Sequence, residues 1–470
     1  MDLKHVPVKY RSLALVLALS MPTSLTFAQT ASNENSAPPA IMQDGSMPAP
    51  PNGELPPGPP PDGKMGAPMQ QTKDVSSFTA AKVVDGTAEN VKNVKLTASQ
   101  TDENTFLVRS GGQVTLADST LTKTGDSSSA DASNFSGQNA VFLAANSTAK
   151  LSNLTLTSDA DGANAVFATG KTSTITADHL TIHTKNNSSR GLDATYGGTI
   201  KATNVDITTE GAHCGALATD RGEGNVIVNG AKIKTSGEGS PCVYSTGNIQ
   251  LTNGKGESTG SEIAVVEGKN SITLNKVNLT GHVGHGIMLY QSFSGDAGVG
   301  EAKFSAKDSM LTNASSGPMF YVTNTTATAS LENTDLVQSG DVLANVTSGR
   351  WGTAGKNGGD FTLNAANEKL KGKILANNIS KVTLNLGSKA SWTGSMNEDN
   401  AAESASVSLK KNSSWTLTAD SYVTSITDED TSFKNIQSNG HNIYYDKSSN
   451  PKLSGRSIKL AGGGRLMAKN

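Results

Sequence analysis

Cysteine is almost missing from this 470-residue chain, which carries only Cys214 and Cys242. That excludes a disulfide-dense scaffold and the all-cysteine zinc sites. Aromatic residues make up 5% and charged residues 17% of the sequence, whereas soluble globular domains carry about 25% charged residues. The formal net charge is −2, so nothing recommends nucleic acid or an anionic membrane surface as a partner. Beyond the first twenty residues no apolar run approaches the about 18 residues that a membrane-crossing helix needs. No phosphate-binding loop, Gly-x-Ser-x-Gly turn or zinc signature occurs. The seven histidines show no metal spacing. His179 and His183 are four apart, a spacing that converges on a helix and not in a strand. The sequence therefore implies no metal, no cofactor and no recognisable catalytic residue.

What the chain does contain is a repeated eight-residue phrase, apolar-x-apolar-x-x-small/apolar-x-apolar. It occurs at Val114–Leu121, Ala149–Leu156, Ile175–Ile182, Ile200–Ile207, Val226–Ile233, Ile272–Leu279 and Ala329–Leu336. Degenerate copies lie at Ile249–Gly256 and Phe304–Leu311. A period-two apolar pattern that recurs about every 25 residues is the signature of a solenoid of short strands. The fifth position holds Asp118, Asn153, Asn204, Gly230, Asn253, Asp308 and Asn333, with His179 and Lys276 as exceptions. Asn, Asp and Gly tolerate left-handed backbone angles. The apolar positions stay on one face only if the chain bends there, so the phrase reads as two strands joined by a corner. A shorter apolar stretch precedes each copy, as in Ala165-Val166-Phe167 and Cys242-Val243-Tyr244. Three short strands per coil and about 25 residues per coil describe an all-β, right-handed parallel β-helix. A β-sandwich is the runner-up, but its strands would not recur with matched position-specific chemistry.

The repeats do not begin at once. Lys4, Lys9 and Arg11 precede the apolar run Ser12–Ser20, and Thr26-Phe27-Ala28 offers small residues for cleavage after Ala28. Residues 1–28 therefore read as a secretory signal peptide. Eleven prolines fall between Pro38 and Pro68, so 29–75 reads as a disordered, Pro-rich linker. Regular repeats span 76–365. Residues 366–470 are expected to form less regular coils and a cap, with Leu384, Leu386, Trp392, Trp415, Leu417 and Ile426 filling the core. The protein should be exported to the periplasm, cell surface or medium, without a transmembrane segment after signal cleavage.

The repeats from 137 to 340 resemble the pectin-lyase-like β-helix superfamily, and especially the passenger regions of bacterial autotransporter adhesins. The stretch Ser414–Val423 (SWTLTADSYV) is similar to the Trp-x-Leu-Thr phrase near the end of such passengers. An autotransporter also needs a C-terminal barrel of roughly a dozen strands, which this sequence does not show. The resemblance implies a β-helix that either binds a surface partner or cleaves a polysaccharide.

Candidate site residues follow from the register. The residue after each inward apolar position in the first strand gives an outward column: Phe142, Phe167, Asp193, Ala218, Tyr244, Val266, Met288 and Tyr321. An exposed apolar stripe of that length would mark an interaction face. The competing readings are that a loop covers it, or that the phase is off by one. The irregular stretch Gly284–Gly300 adds His285, Tyr290, Gln291, Phe293 and Asp296 on an insertion of the kind that carries binding on solenoids. Phe142, Phe167, Asp193, Tyr244, Met288, Tyr290 and Tyr321 are thus the candidate binding residues. Cys214 and Cys242 lie in matched contexts, Glu210–Cys214 and Glu238–Cys242. Equivalent positions in adjacent coils stack about 4.8 Å apart, within disulfide range, so a Cys214–Cys242 disulfide is expected.

Carboxylates decide the enzyme question. Arg190 with Asp193, Asp220-Arg221 with Glu223, and Glu262 with Glu267 are the candidates, and none forms a dense cluster in sequence. The expected function is a non-enzymatic, adhesin-like binding protein for a glycan or a surface protein. The alternatives are a polysaccharide lyase or hydrolase and a structural matrix component. Three or more carboxylates converging in a groove would favour the enzyme.

Overall fold

The computed structural model describes residues 73–469. The predicted signal peptide and nearly all of the Pro-rich segment lie outside these residues. The described chain is a parallel β-solenoid of the right-handed β-helix type. Each regular coil contributes a short strand to one sheet and a longer, bent strand to a second. The first sheet stacks twelve strands in chain order, from Thr79–Asp85 to Lys373–Ala376. Val166, Leu192, Leu217 and Val243 are stacked partners in it. The second sheet stacks the eleven-residue strands Gln113–Lys123, Thr148–Ser158, Thr174–Thr184 and Thr199–Thr209, among others.

The corner sits where the phrase places it. The fifth-position residues have φ of 49° at Asp118, 52° at Asn153, 55° at Asn204 and 56° at Asn253. His179 and Lys276, the two exceptions in residue type, share the same backbone at 54° each. The Asn/Asp preference also has a second cause. Corner side chains hydrogen-bond from coil to coil: Asn153 Nδ2 donates to Asp118 Oδ1 at 2.9 Å, and Asn333 Nδ2 donates to Asp308 Oδ1 at 2.7 Å. His179 and Lys276 pay the same backbone strain without that ladder.

The four apolar positions of each phrase point inward, as Val114, Leu116 and Leu121 show. Aromatic rings stack along the interior, with Phe106 and Phe142 5.4 Å apart and Phe320 and Phe361 5.6 Å apart. Toward the C-terminus Leu384, Leu386, Trp392, Trp415, Leu417 and Ile426 all lie in this core, as expected. Trp392 and Trp415 stack at 4.8 Å, and their indole N–H groups donate to the Gly372 and Gly394 carbonyls. An antiparallel pairing of Ile458–Lys459 with Arg465–Ala468 then closes the end of the solenoid, where an open edge would otherwise invite pairing with another chain.

The expected disulfide is not formed. Cys214 and Cys242 are both free and buried. The matched Glu-Gly contexts mislead by two residues. Leu217 pairs with Val243, so Cys214 stacks on Ser240, whose Oγ accepts the Cys214 N–H at 2.9 Å. Two strand residues plus one coil step separate the cysteine Cα atoms by about 8 Å, beyond bridging distance. Burial pushes each thiol up to about 12. Native protein is therefore expected to resist alkylation near neutral pH, because the thiolate is the reactive form. Denatured, unreduced protein should take two labels by intact mass, and zero labels would contradict the register.

Candidate functional site

The outward column of the first sheet exists, with one-residue phase errors at two places, Phe142 and Val266. Leu143 pairs with Phe167, which pairs with Asp193, Ala218, Tyr244, Val265, Met288 and Tyr321 in turn. Phe142 and Val266 point into the core instead. The tripeptides Ala140–Phe142 and Ala165–Phe167 look equivalent, yet Phe142 pairs with Val166. The helix Ala130–Ser136, inserted just before this coil, shifts the frame by one.

The column is also not an exposed stripe. Phe167 and Asp193 are fully buried, Met288, Tyr290 and Tyr321 nearly so, and Tyr244 partly. Two covers close the face. Near the N-terminal end, Phe167 packs with Phe78, Leu107 and Leu143, beside the inserted helix. Further along, Trp351 packs with Val265, Met288, Tyr290 and Tyr321. The insertion Gly284–Gly300 joins this second cover: Phe293 lies edge-on to Trp351 at 6.4 Å, and His285 sits 4.2 Å from the Tyr321 ring. Apolar residues on an outward face must be buried against something, and here the chain supplies the cover itself.

Between and beneath the covers the scattered carboxylates meet. Arg190, fully buried, donates from Nη1 to Asn134 Oδ1 at 2.8 Å and from Nη2 to Asp220 Oδ2 at 3.0 Å. Its Nε lies 3.7 Å from Asp193 Oδ2. Arg221 pairs with Asp296 at 2.7 Å, and its guanidinium lies 3.6 Å over the Phe135 ring. Glu267 accepts from the Tyr244 and Tyr290 hydroxyls, each at 2.9 Å, and from Ser292 Oγ. Glu262 accepts from Ser261 at 2.6 Å and faces His285 Nδ1 at 3.3 Å. Neither Asp193 oxygen makes a hydrogen bond of normal geometry. Burial raises Asp193 to about 6, with Arg190 pulling back. Burial likewise lifts Glu267 and Asp220. Asp220 accepts from the Arg190 guanidinium at 3.0 Å and from the Arg221 N–H at 2.9 Å, whereas Asp193 has only the more distant Arg190 Nε.

Perturbed carboxylates in a cluster are what a catalytic site would show, but access is missing. The cavity beside them, lined by Arg190, His213, Tyr244, Met288 and Tyr290 among others, measures about 40 Å³. That holds a few waters and no sugar ring. Among the described residues no group of three His, Cys, Asp or Glu side chains is placed to hold a metal ion. Asp193, Asp220, Asp296 and Glu267 therefore converge under a lid, not in a groove.

Open surface lies elsewhere, on the second sheet. A trough of about 670 Å³ runs across the strands over successive coils from Thr273 to Lys410. Its floor is one stacked column: Thr273, Ser305, Ser330, Asn364, Asn385 and Ser408 are register partners. None of the candidate binding residues lies on this column. Its signal was present at the second position of the phrase, which carries Lys150 and Lys201 in early copies and turns uncharged from Gln250 onward.

No protein-family model and no curated protein matches this chain. Among the described residues no helix is long and apolar enough to cross a membrane.

Proposed function

We propose that this protein is an exported, non-enzymatic binding scaffold, adhesin-like in role, which presents the flank of its β-helix to a glycan or surface protein. The sealed carboxylate cluster carries this reading. The acids that meet in the fold hold the covers down through arginine, tyrosine and serine partners. A polymer cannot reach them, and general acid–base catalysis needs contact with the reacting group. What the solenoid leaves open is a long polar surface on a rigid, repetitive frame.

The convergence of Asp193, Asp220, Asp296 and Glu267 keeps one second reading in play, a polysaccharide lyase or hydrolase whose cover opens. One experiment separates the two. Full-length protein is incubated with polygalacturonate and other acidic polysaccharides while unsaturated-product absorbance and reducing ends are followed. It is also passed over arrays of glycans and surface proteins. The binding reading expects retention on the arrays without product. Product formation that depends on Asp193 or Glu267 would overturn it.

A further inference from the structure

Resting on the binding reading above, we propose that the trough on the second sheet is the binding site, and that it takes a neutral polysaccharide chain lying along the solenoid axis.

The trough offers one kind of chemistry many times. Its floor column of four hydroxyls and two amides repeats once per coil, about 4.8 Å apart, so six positions span about 24 Å. Hydroxyl and amide groups each donate and accept. Some of this capacity is used between coils: Ser305 Oγ donates to Thr273 Oγ1 at 3.2 Å, and Asn385 Nδ2 donates to Asn364 Oδ1 at 2.9 Å. Asn364 Nδ2 also donates to Ser330 Oγ at 3.4 Å, and all six side chains are exposed or half-buried. A second column two residues earlier runs beside it and is again rich in hydroxyls, with Thr328, Thr362, Thr383 and Ser406 in register.

Charge and shape narrow the occupant. Lys307 is paired with Glu332 at 2.8 Å, and Lys410 with Glu429 at 2.7 Å. The trough thus offers neither a basic track for a polyanion nor an acidic one for a polycation. Its lining contains no aromatic residue, which disfavours a planar or apolar ligand. A peptide strand could not add to the sheet here. The trough crosses the strands, whose backbone groups already pair with the coils on either side, and strand addition needs a free edge. A neutral polymer with hydroxyls at regular intervals suits a regular ladder of neutral donors and acceptors.

The test uses the full chain in affinity electrophoresis and calorimetry. The probes are dextran, mannan and laminarin, with polygalacturonate as the acidic comparison. At least one neutral polymer should bind, with little dependence on salt. The double variant S330R/N364R should weaken that binding at least about tenfold, because two long cations fill the floor. Thr176→Arg, exposed on the same column but outside the trough, should bind like the parent. Matching melting temperatures show that the fold is intact, and Ser330→Arg alone repeats the measurement at an exposed position. Neutral-glycan binding that survives S330R/N364R refutes the trough and leaves the binding reading standing. Binding to polygalacturonate only, or to proteins only, refutes the neutral-glycan class. Retention on nothing refutes both.

Discussion

Replacing Arg190 with Met is expected to destabilise the protein by about 3–5 kcal/mol, the usual consequence of leaving buried charge without its partner. Arg190 is fully buried, and its guanidinium serves three elements at once. It reaches Asn134 on the inserted helix, Asp193 on its own coil and Asp220 on the next. Met keeps most of the apolar stem, so packing alone should cost little. What is lost is the only cation within contact of Asp193 among the described residues. Asp220 keeps just the Arg221 N–H, and the helix Ala130–Ser136 loses a side-chain tie to the sheet. The loss should show in the thermal midpoint and in faster amide exchange of residues 130–136. Adding D193N and D220N to Arg190→Met should restore most of the stability, because no charge then remains to compensate. A variant that melts within about 1 kcal/mol of the parent would show that the cluster is hydrated and that its burial is not as described.

The scaffold was legible in the sequence because the solenoid repeats one local decision. Every copy of the phrase must hide four residues and turn once, so it states its own register and its corner, even at His179 and Lys276. Periodicity could not say what covers the outward face. That depends on segments outside the repeat, the stretch around Phe78, the helix Ala130–Ser136, the stretch Gly284–Gly300 and the loop that carries Trp351, which break the repeat and so carry no repeat signal. The helix Ala130–Ser136 also goes with one error of register, the inward-facing Phe142. A two-residue difference in spacing between the similar contexts of Cys214 and Cys242 suggested a bridge that the stacking forbids. Arg190 and Asp193 were visible as a pair, but Asp220 lies one coil on, and Asp296 three coils beyond that. Their meeting is a property of the pitch and the lid, not of any motif. The trough is the converse case. Its first half, Thr273, Ser305 and Ser330, was readable at position two of the phrase, while Asn364, Asn385 and Ser408 continue the column on later coils, yet uncharged small residues on a strand's outer face look like ordinary solvated surface.

Asp193→Asn should stabilise the protein at neutral pH and remove part of its acid-side pH dependence. Asp193 is fully buried without a hydrogen bond of normal geometry, and burial raises it from 3.8 to about 6. The folded state therefore binds this proton more tightly than the unfolded chain does. Its stabilising effect is complete below the unfolded value of 3.8, falls as pH rises through the window up to about 6, and is absent above it. A difference of that size corresponds to about 3 kcal/mol at pH 7. The charged groups around it are Arg190, 3.7 Å away, and Asp220, which competes for the same guanidinium. Asn removes the charge that cannot be paired and leaves Arg190 to Asp220 alone. Denaturation midpoints measured from pH 4 to 8 should show the parent losing stability relative to the variant between about pH 4 and 6, with a constant gap above. Parallel curves would mean that Asp193 titrates as an ordinary carboxylate. The lid would then be held by Asp220, Glu267 and the aromatic packing of Trp351, without any dependence on the protonation of Asp193.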